Sequence, residues 1–259
     1  MGQRHSITRE LRFLKESLQS DKGRVALLLG AGCPSGVYQA DGSKGDPLIP
    51  DVARLTVAVS DDLSQQDVGR PAEDQFHPAW EVLHSACAES SQTPNIEHLL
   101  SELRILRARK GTSPVDGIYK NKLQALDEAI CDSIVRFVGA SLPSHRTAYN
   151  RLASWVGGLE RVVPVELFTP NYDLLIEEAF EQQRFPIFDG FVGSREPFFD
   201  LASIEQDSIP RRWTRLWKLH GSINWEQRDD GSVFRAQGRA SRGRAMIYPS
   251  HLKYDQSRR

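Results

Sequence analysis

Apolar residues along this chain follow strand-like and helix-like spacings in turn, which predicts an α/β fold. Residues 25–29 and 162–168 are short apolar or β-branched runs, the pattern of parallel strands covered on both faces. Residues 214–219 predict another strand, with interleaved basic residues, and residues 185–192 predict a further extended segment. The turn at residues 229–231 then predicts a hairpin. We therefore expect an α/β domain with parallel strands.

Helical spacing of apolar residues recurs between and after these strands. The stretches with this spacing are Ile7–Leu18, Val52–Val59, Trp80–Cys87, Ile96–Leu106, Leu123–Phe137, Tyr149–Val156 and Leu174–Phe180. Ser6 is the expected N-cap of the first helix, Thr93 and Pro94 are expected to start the Ile96 helix, and Gly111 to follow it. The helical patterns from about residue 61 to 156 predict a helical module inserted in the α/β domain.

Gly30, Ala31 and Gly32 follow the first predicted strand directly. Glycines at such a turn allow a positive φ and let a ligand approach bare backbone, so that N–H groups can bind phosphate oxygens. A single Gly-x-Gly is weak evidence, because any tight turn between a strand and a helix can use glycines.

Thr169, Asn171 and Asp173 lie on a predicted strand-to-helix turn. In an open α/β sheet this is the carboxyl end of a strand, where ligands bind. The turn therefore offers an amide and a carboxylate to a ligand. The alternative is that Asn171 or Asp173 only caps the following helix, as these residue types often do.

His220 stands at the end of the predicted strand 214–219, just before Gly221 and Ser222. A histidine in this place is a candidate general base, since its pKa lies near neutrality. The alternative is a histidine whose ring is satisfied by a backbone carbonyl.

Composition narrows the functional class. The 259 residues carry a net charge of -1, so no global field attracts nucleic acid or an anionic membrane. Basic runs at residues 211–212 and 235–244 are expected to be solvated, which leaves at most an indirect role for nucleic acid. The three cysteines form no CxxC pair and fit free thiols. No apolar run approaches a membrane span, so we expect a soluble, cytoplasmic protein.

The order of these motifs resembles the motif series of the sirtuins over roughly residues 23–250. The series is Gly30-Ala31-Gly32, Ile49-Pro50-Asp51, Thr169-x-Asn171-x-Asp173 and His220-Gly221. The resemblance implies a Rossmann-like parallel sheet with an inserted module, and NAD as the ligand. It also implies a role for each motif residue. Gly30, Ala31 and Gly32 would contact the diphosphate, and Asp51 would contact the nicotinamide carboxamide. Asn171 would order the ribose and a water, Asp173 would support that pocket, and His220 would be the base, while Thr169, Gly221 and Ser222 would complete the cofactor site.

The chain departs from protein-deacylating sirtuins at several positions. It has no paired CxxC motifs for their structural zinc, so we expect a helical module and no metal site there. Val52 and Ala53 replace the aromatic residue and arginine that follow Pro-Asp in that family. Residues 95–100 and 169–173 look more like the sirtuin-like NAD hydrolases of bacterial anti-phage defence, in particular those that assemble with a HerA-type ATPase.

This resemblance implies a single catalytic domain over residues 1–259 that hydrolyses NAD to nicotinamide and ADP-ribose. It further implies self-association and an ATPase partner. Relatives continue with more β-α units after the stretch resembling residues 248–250, so the sheet is expected to lack its last strands. Two alternatives stay open: a zinc-free protein deacylase, and a nucleotide-binding scaffold subunit of an ATPase complex.

Overall fold

The structure is a computed structural model that describes residues 6–39, 45–90, 94–108, 119–237 and 244–246. It divides into two compact units. The sheet unit comprises Met1–Cys33 and Ser141–Ala245, and the helical unit comprises Pro34–Ala140 and Met246–Arg259. In chain order the helices and strands are α1 (Ile7–Gln19), β1 (Val25–Leu28), α2 (Val52–Gln66), α3 (His77–Ser90), α4 (Ile96–Ala108), α5 (Lys120–Val138), α6 (Ala148–Gly157), β2 (Val165–Thr169), α7 (Leu175–Gln182), β3 (Ile187–Phe188), β4 (Phe191–Val192), β5 (Phe198–Phe199), α8 (Leu201–Glu205), β6 (Thr214–Lys218), β7 (Gly221–Gln227), β8 (Val233–Arg235) and β9 (Arg244–Met246).

A parallel sheet with the order β1-β2-β6-β3 forms the centre of the sheet unit. Its register pairs Leu27 with Leu167, and Leu167 with Leu216. Leu167 and Leu216 are fully buried, as expected for a strand covered on both faces. The mixed α/β fold with a parallel sheet, expected from the sequence, is confirmed.

Helices α6 and α7 pack against each other in this unit. The first turn of α6 is fixed by a capping box, in which the side chains of Thr147 and Asn150 each satisfy the other's backbone N–H. The amide nitrogen Nδ2 of Asn150 also donates to Oε1 of Gln182 on α7, at 2.8 Å. The capping box and the bond to Gln182 together hold α6 in one orientation beside the C-terminal end of α7.

A second sheet, with the order β4-β5-β8-β7-β9, was not predicted from the sequence. Its pairs β4–β5, β5–β8 and β7–β8 are antiparallel. The rings of Phe191, Phe199 and Trp225 cluster on it, with centroids 5.1 to 5.9 Å apart. The hairpin expected at residues 229–231 is confirmed, since Arg228 and Ser232 close the turn between β7 and β8.

The helical unit is built from α2 to α5 around a core of fully buried leucine and isoleucine side chains. These include Leu63, Ile96, Leu99, Leu103, Leu123, Leu126, Ile130 and Ile134. Two buried or nearly buried carboxylates tie the helices together. Asp62 on α2 accepts from Ser133 and pairs with Arg136 on α5, while Asp127 on α5 pairs with Arg104 and Arg107 on α4. The helices expected here are confirmed.

Several boundaries differ from the prediction. The strand expected from residue 162 begins at Val165, because the N–H groups of Val162 and Val163 both donate to the carbonyl of Asp21 instead of to a neighbouring strand. The extended segment 185–192 is interrupted at Gly190, whose φ of +99° turns the chain from the parallel sheet into the second sheet. Ser6 does precede α1, but its side chain makes no capping hydrogen bond.

The start of α4 is capped by Asn95, whose Oδ1 accepts from the backbone N–H groups of Glu97 and His98. Thr93 and Gly111, expected to flank this helix, lie outside the described residues. The extent of the helical insertion and its place within one catalytic domain stay predictions. Within the described ranges, no helix is long and apolar enough to cross a membrane.

Candidate functional site

The carboxyl ends of β1, β2 and β6 meet at one edge of the parallel sheet. The backbone N–H of Leu29 donates to the carbonyl of Phe168 at 2.8 Å, and that of Leu219 donates to the carbonyl of Thr169 at 2.8 Å. These bonds align the ends of all three strands. The turns that begin at Gly30, follow Thr169 and carry His220 are therefore neighbours at the edge where α/β sheets bind ligands.

Thr169 and Asn171 connect the first two turns. The hydroxyl of Thr169, which is buried, donates to the carbonyl of Leu29 at 2.8 Å and accepts from the backbone N–H of Asn171 at 3.1 Å. The side-chain amide of Asn171 then donates to the carbonyl of Gly30 at 3.2 Å. Asn171 thus points back to the glycine turn, and the interpretation of this residue as a cap of α7 is wrong.

Asp173 does serve the start of α7, because its Oδ1 accepts from the backbone N–H of Leu175 at 3.1 Å. Its side chain is also buried, with 5% of the residue exposed. Burial raises the pKa of Asp173 from 3.8 to about 6, although the ammonium of Lys218 acts in the opposite direction and Glu177 raises the pKa further. A buried carboxylate with this pKa at a strand end is typical of a functional site.

Lys218 holds the turn between β2 and α7 in place. Its side chain is fully buried, and its ammonium donates to the carbonyls of Tyr172 and Asp173 and to Oε1 of Glu177, the last at 2.8 Å. The sequence reasoning missed Lys218 and Glu177. The burial of Lys218 could have been predicted from the alternation along β6, because Lys218 falls on the same, buried face as Thr214 and Leu216.

His220 follows β6 and is half-buried, with its ring centroid 6.3 Å from that of Tyr172. Gly221 has a φ of +76°, a left-handed conformation that favours glycine and turns the chain sharply into β7. The hydroxyl of Ser222 is buried and donates to the carbonyl of Tyr172 at 3.2 Å. His220 thus lies near Tyr172, the residue between Asn171 and Asp173. Direct ligand contacts by Gly221 and Ser222 stay predictions.

The glycine turn has the open backbone that a phosphate group needs. A Cβ atom added at Gly30 or Gly32 would meet no heavy atom within 4 Å. Within the described part of the chain, the N–H groups of Gly30, Ala31 and Gly32 donate no hydrogen bond, whereas that of Cys33 donates to the carbonyl of Gly30 at 3.0 Å. Gly30 and Gly32 do not use the positive φ that glycine allows, so their contribution is the absence of a side chain. The open amides could therefore donate hydrogen bonds to a phosphate group.

Asp51 lies in the helical unit, whereas the site residues described above belong to the sheet unit. It is the N-cap of α2, and its Oδ1 accepts from the backbone N–H of Arg54 at 2.9 Å. Its position near the N-terminus of a helix is confirmed. Its contact with a nicotinamide carboxamide stays a prediction.

No group of three or more His, Cys, Asp or Glu side chains that could hold a metal ion occurs in the described ranges. Cys33, Cys87 and Cys131 are free thiols, and the latter two are buried in the helical unit. The candidate site offers the amide of Asn171, the carboxylate of Asp173 and the imidazole of His220.

Residues 165–251 match the SIR2-like domain family. The match begins with β2 and includes the turn of Asn171 and Asp173, β6, His220 and β7. SIR2-like domains bind NAD, so the match supports a sirtuin-like protein with an NAD-related function. The glycine turn and Asp51 lie before the matched residues. A comparison with the curated proteins finds no match to this chain.

Proposed function

We propose that this protein is an NAD glycohydrolase, which cleaves NAD to nicotinamide and ADP-ribose. The supporting observation is that Asn171 bridges to the glycine turn while His220 lies beside the same segment, all at one sheet edge and partly within the SIR2-like match. NAD supplies a nicotinamide leaving group and an electrophilic ribose carbon. Hydrolysis then requires a positioned water and a base on the face opposite the leaving group.

Each residue of the site has a distinct part in this proposal. The N–H groups of the glycine turn bind the diphosphate. Asn171 orients the ribose and a water, and its bond to the carbonyl of Gly30 keeps the amide next to the turn that binds the diphosphate. His220 accepts the proton of that water. Asp173 and Lys218 keep the shape of the turn on which Asn171 stands.

The test is product analysis after incubation of the purified protein with NAD. Free ADP-ribose and nicotinamide are the expected products. His220→Ala should lower turnover by roughly two to four orders of magnitude without loss of the fold, as expected for a general base. His84→Ala is the matched control, because it removes a half-buried histidine from α3 in the helical unit. Near wild-type turnover in a folded His220→Ala protein would discard the proposed base.

The same assay separates the two other candidate functions. A deacylase would release nicotinamide only when an acyl-lysine peptide is present. A scaffold subunit would bind the nucleotide without turnover. A cyclic product in place of linear ADP-ribose would mean that an internal nucleophile competes with water.

We further propose that the enzyme acts in anti-phage defence and is controlled by assembly. An unrestrained NAD hydrolase would deplete the NAD of its own cell, so an inactive state must be favoured until a signal arrives. Self-association and a ring-forming ATPase of the HerA type are proposed to favour the active state through differential stability of the two states. Light scattering combined with NAD turnover over a concentration series tests this. A monomer with full, concentration-independent activity and no response to the ATPase would rule it out.

A further inference from the structure

The amino ends of the parallel strands form the sheet edge opposite the candidate site, and two cavities lie there. Their volumes are about 500 and about 350 Å³, sizes that accommodate small molecules. Val165 and Thr214, the first residues of β2 and β6, line the larger cavity, and Pro164 lines both. The ends of the five-residue strand β2 are separated by about 13 Å. The cavities therefore belong to a surface that the proposed NAD chemistry does not use.

Hydrogen bonds fix one wall of the larger cavity. The guanidinium of Arg161, which lines this cavity, donates to the carbonyl of Leu18 at 2.8 Å and to the carbonyl of Gly23. The backbone N–H of Val162 donates to the carbonyl of Asp21 at 3.2 Å. The segment that precedes β1 is thus bound to the segment that precedes β2. Because these bonds are made within the protein, the wall is formed without a ligand.

The smaller cavity has a surplus of positive charge. The charged residues that line it are Arg24, Arg211, Arg215, Glu166 and Asp207. Arg215 pairs with both carboxylates. Neither Arg24 nor Arg211 has an ion pair or a side-chain hydrogen bond within the described part of the chain. Two guanidinium groups are therefore available to an anion, and their planar arrays of donors suit the oxygens of a phosphate group.

The larger cavity suits a flat ring better than it suits an anion. The charges of Arg161 and Arg212 in its lining are matched by the carboxylates of Asp21 and Glu160. Trp213 also lines this cavity, and its half-buried ring contacts no other ring among the described residues. An indole offers a face on which a nucleobase can stack. The two carboxylates are acceptors for the amino groups that a nucleobase carries.

Arg211 lies in the wall that the two cavities share. It belongs to a turn that is closed by the backbone N–H of Trp213, which donates to the carbonyl of Pro210 at 2.9 Å. One turn thus presents a cation to the smaller cavity and an aromatic ring to the larger one. The basic pair at residues 211–212, expected from the sequence to be solvated, borders these cavities instead.

We infer that this edge of the sheet is a second binding site, which takes a free mononucleotide. Arg24 and Arg211 bind the phosphate in the smaller cavity, and Trp213 stacks on the base in the larger one. The inference does not depend on NAD hydrolysis, because none of these residues belongs to the candidate site at the carboxyl edge. A protein that binds a mononucleotide here without hydrolysing NAD would support the second site and contradict only the proposed function.

Titration calorimetry of the whole chain with adenosine monophosphate (AMP) and with inorganic phosphate tests the inference. Arg211→Gln should weaken the binding of both probes about ten- to hundredfold, the effect of one lost charge-assisted hydrogen bond. Trp213→Leu should weaken AMP binding about five- to hundredfold, the range for one stacking contact, and should leave phosphate binding unchanged. Arg195→Gln is the matched control, because Arg195 is exposed in the same unit and lines neither cavity. Thermal unfolding checks that each variant is folded.

Asn171→Ala separates this site from the proposed NAD site, since AMP is also a part of NAD. AMP bound in the cavities should keep its affinity in Asn171→Ala and lose it in Arg211→Gln. Two binding events, each sensitive to one of these variants, would support both sites.

Several results would overturn the inference. AMP binding that disappears in Asn171→Ala but persists in Arg211→Gln would place the nucleotide at the NAD site alone. Equal weakening by Arg211→Gln and Arg195→Gln would show only a general attraction of anions. Unchanged AMP affinity in folded Trp213→Leu would remove the base from the larger cavity. Absence of AMP and phosphate binding up to about 1 mM would remove the site altogether. A 5′-phosphorylated oligonucleotide that binds more tightly than AMP would show that the ligand is a strand end and not a free mononucleotide.

Discussion

Asp173→Asn should make the protein more stable at neutral pH, even though the carboxylate belongs to the proposed NAD pocket. Burial raises the pKa of Asp173 from 3.8 to about 6, despite the nearby ammonium of Lys218. A pKa difference of about 2, at about 1.4 kcal/mol per pKa unit, corresponds to about 3 kcal/mol of unfolding free energy. The ionised carboxylate of Asp173 therefore lowers the free energy of unfolding substantially.

The pH dependence follows from the direction of the shift. The folded state binds this proton more tightly than the unfolded chain does, so the contribution of Asp173 is fully present below about pH 4 and is lost as the pH rises through about 6. Asparagine does not ionise, and its amide oxygen can still accept from Leu175. The variant should match the wild type near pH 4 and exceed it by about 3 kcal/mol above pH 7.

Urea unfolding at several pH values from 4 to 7.5, followed by tryptophan fluorescence, measures this difference. Trp217 and Trp225 report on the sheet unit. Asp229→Asn is the control, because it removes the same charge from an exposed turn and should change stability by no more than about 0.5 kcal/mol. An Asp173→Asn protein that is less stable at neutral pH, or whose advantage does not depend on pH, would refute the reasoning. Its NAD turnover should fall, since the ionised group is proposed to support the pocket.

Three further substitutions test other parts of the site and fold. Asn171→Ala should lower NAD turnover at least a hundredfold while costing only about 1 kcal/mol of stability, the value of one lost hydrogen bond; a melting curve beside the turnover assay checks both. Lys218→Met should lower the free energy of unfolding in urea by about 3–5 kcal/mol, because the buried carboxylate of Glu177 on α7 loses its cation. A change below about 1 kcal/mol would contradict the burial of this ion pair. Gly157→Ala should lower the free energy of unfolding by about 1–3 kcal/mol, since the new Cβ would lie 2.1 Å from Cγ of Phe185. Gly23→Ala is the control, because a Cβ there would make only ordinary van der Waals contacts.

The sequence predicts the strands and turns of the site because their signals are local. The apolar runs that become β1, β2 and β6 each end at a polar or glycine-rich turn, and parallel strands place those ends at one edge. The prediction of Asp51 at a helix start is also local and is confirmed. Its contact with a ligand depends on distant residues, and the pattern around residue 51 carries no information about them.

Lys218 shows what local patterns leave out. A lysine in a strand is usually solvated, and this one is buried only because Glu177 and two carbonyls from another turn surround its ammonium. The second sheet was missed for a different reason: β4 and β5 have two residues each, too few to show any alternation.

The order in which the strands leave the ribosome gives the parallel sheet a further consequence. β1 emerges early, whereas β2, its neighbour in the described sheet, follows much later. Thr169 on β2 bonds to Leu29 across 140 residues of sequence. β6 follows later still. At roughly 5–20 residues per second, β1 waits on the order of ten seconds or more for both partners. A nascent chain that lacks β6 therefore cannot assemble the candidate site.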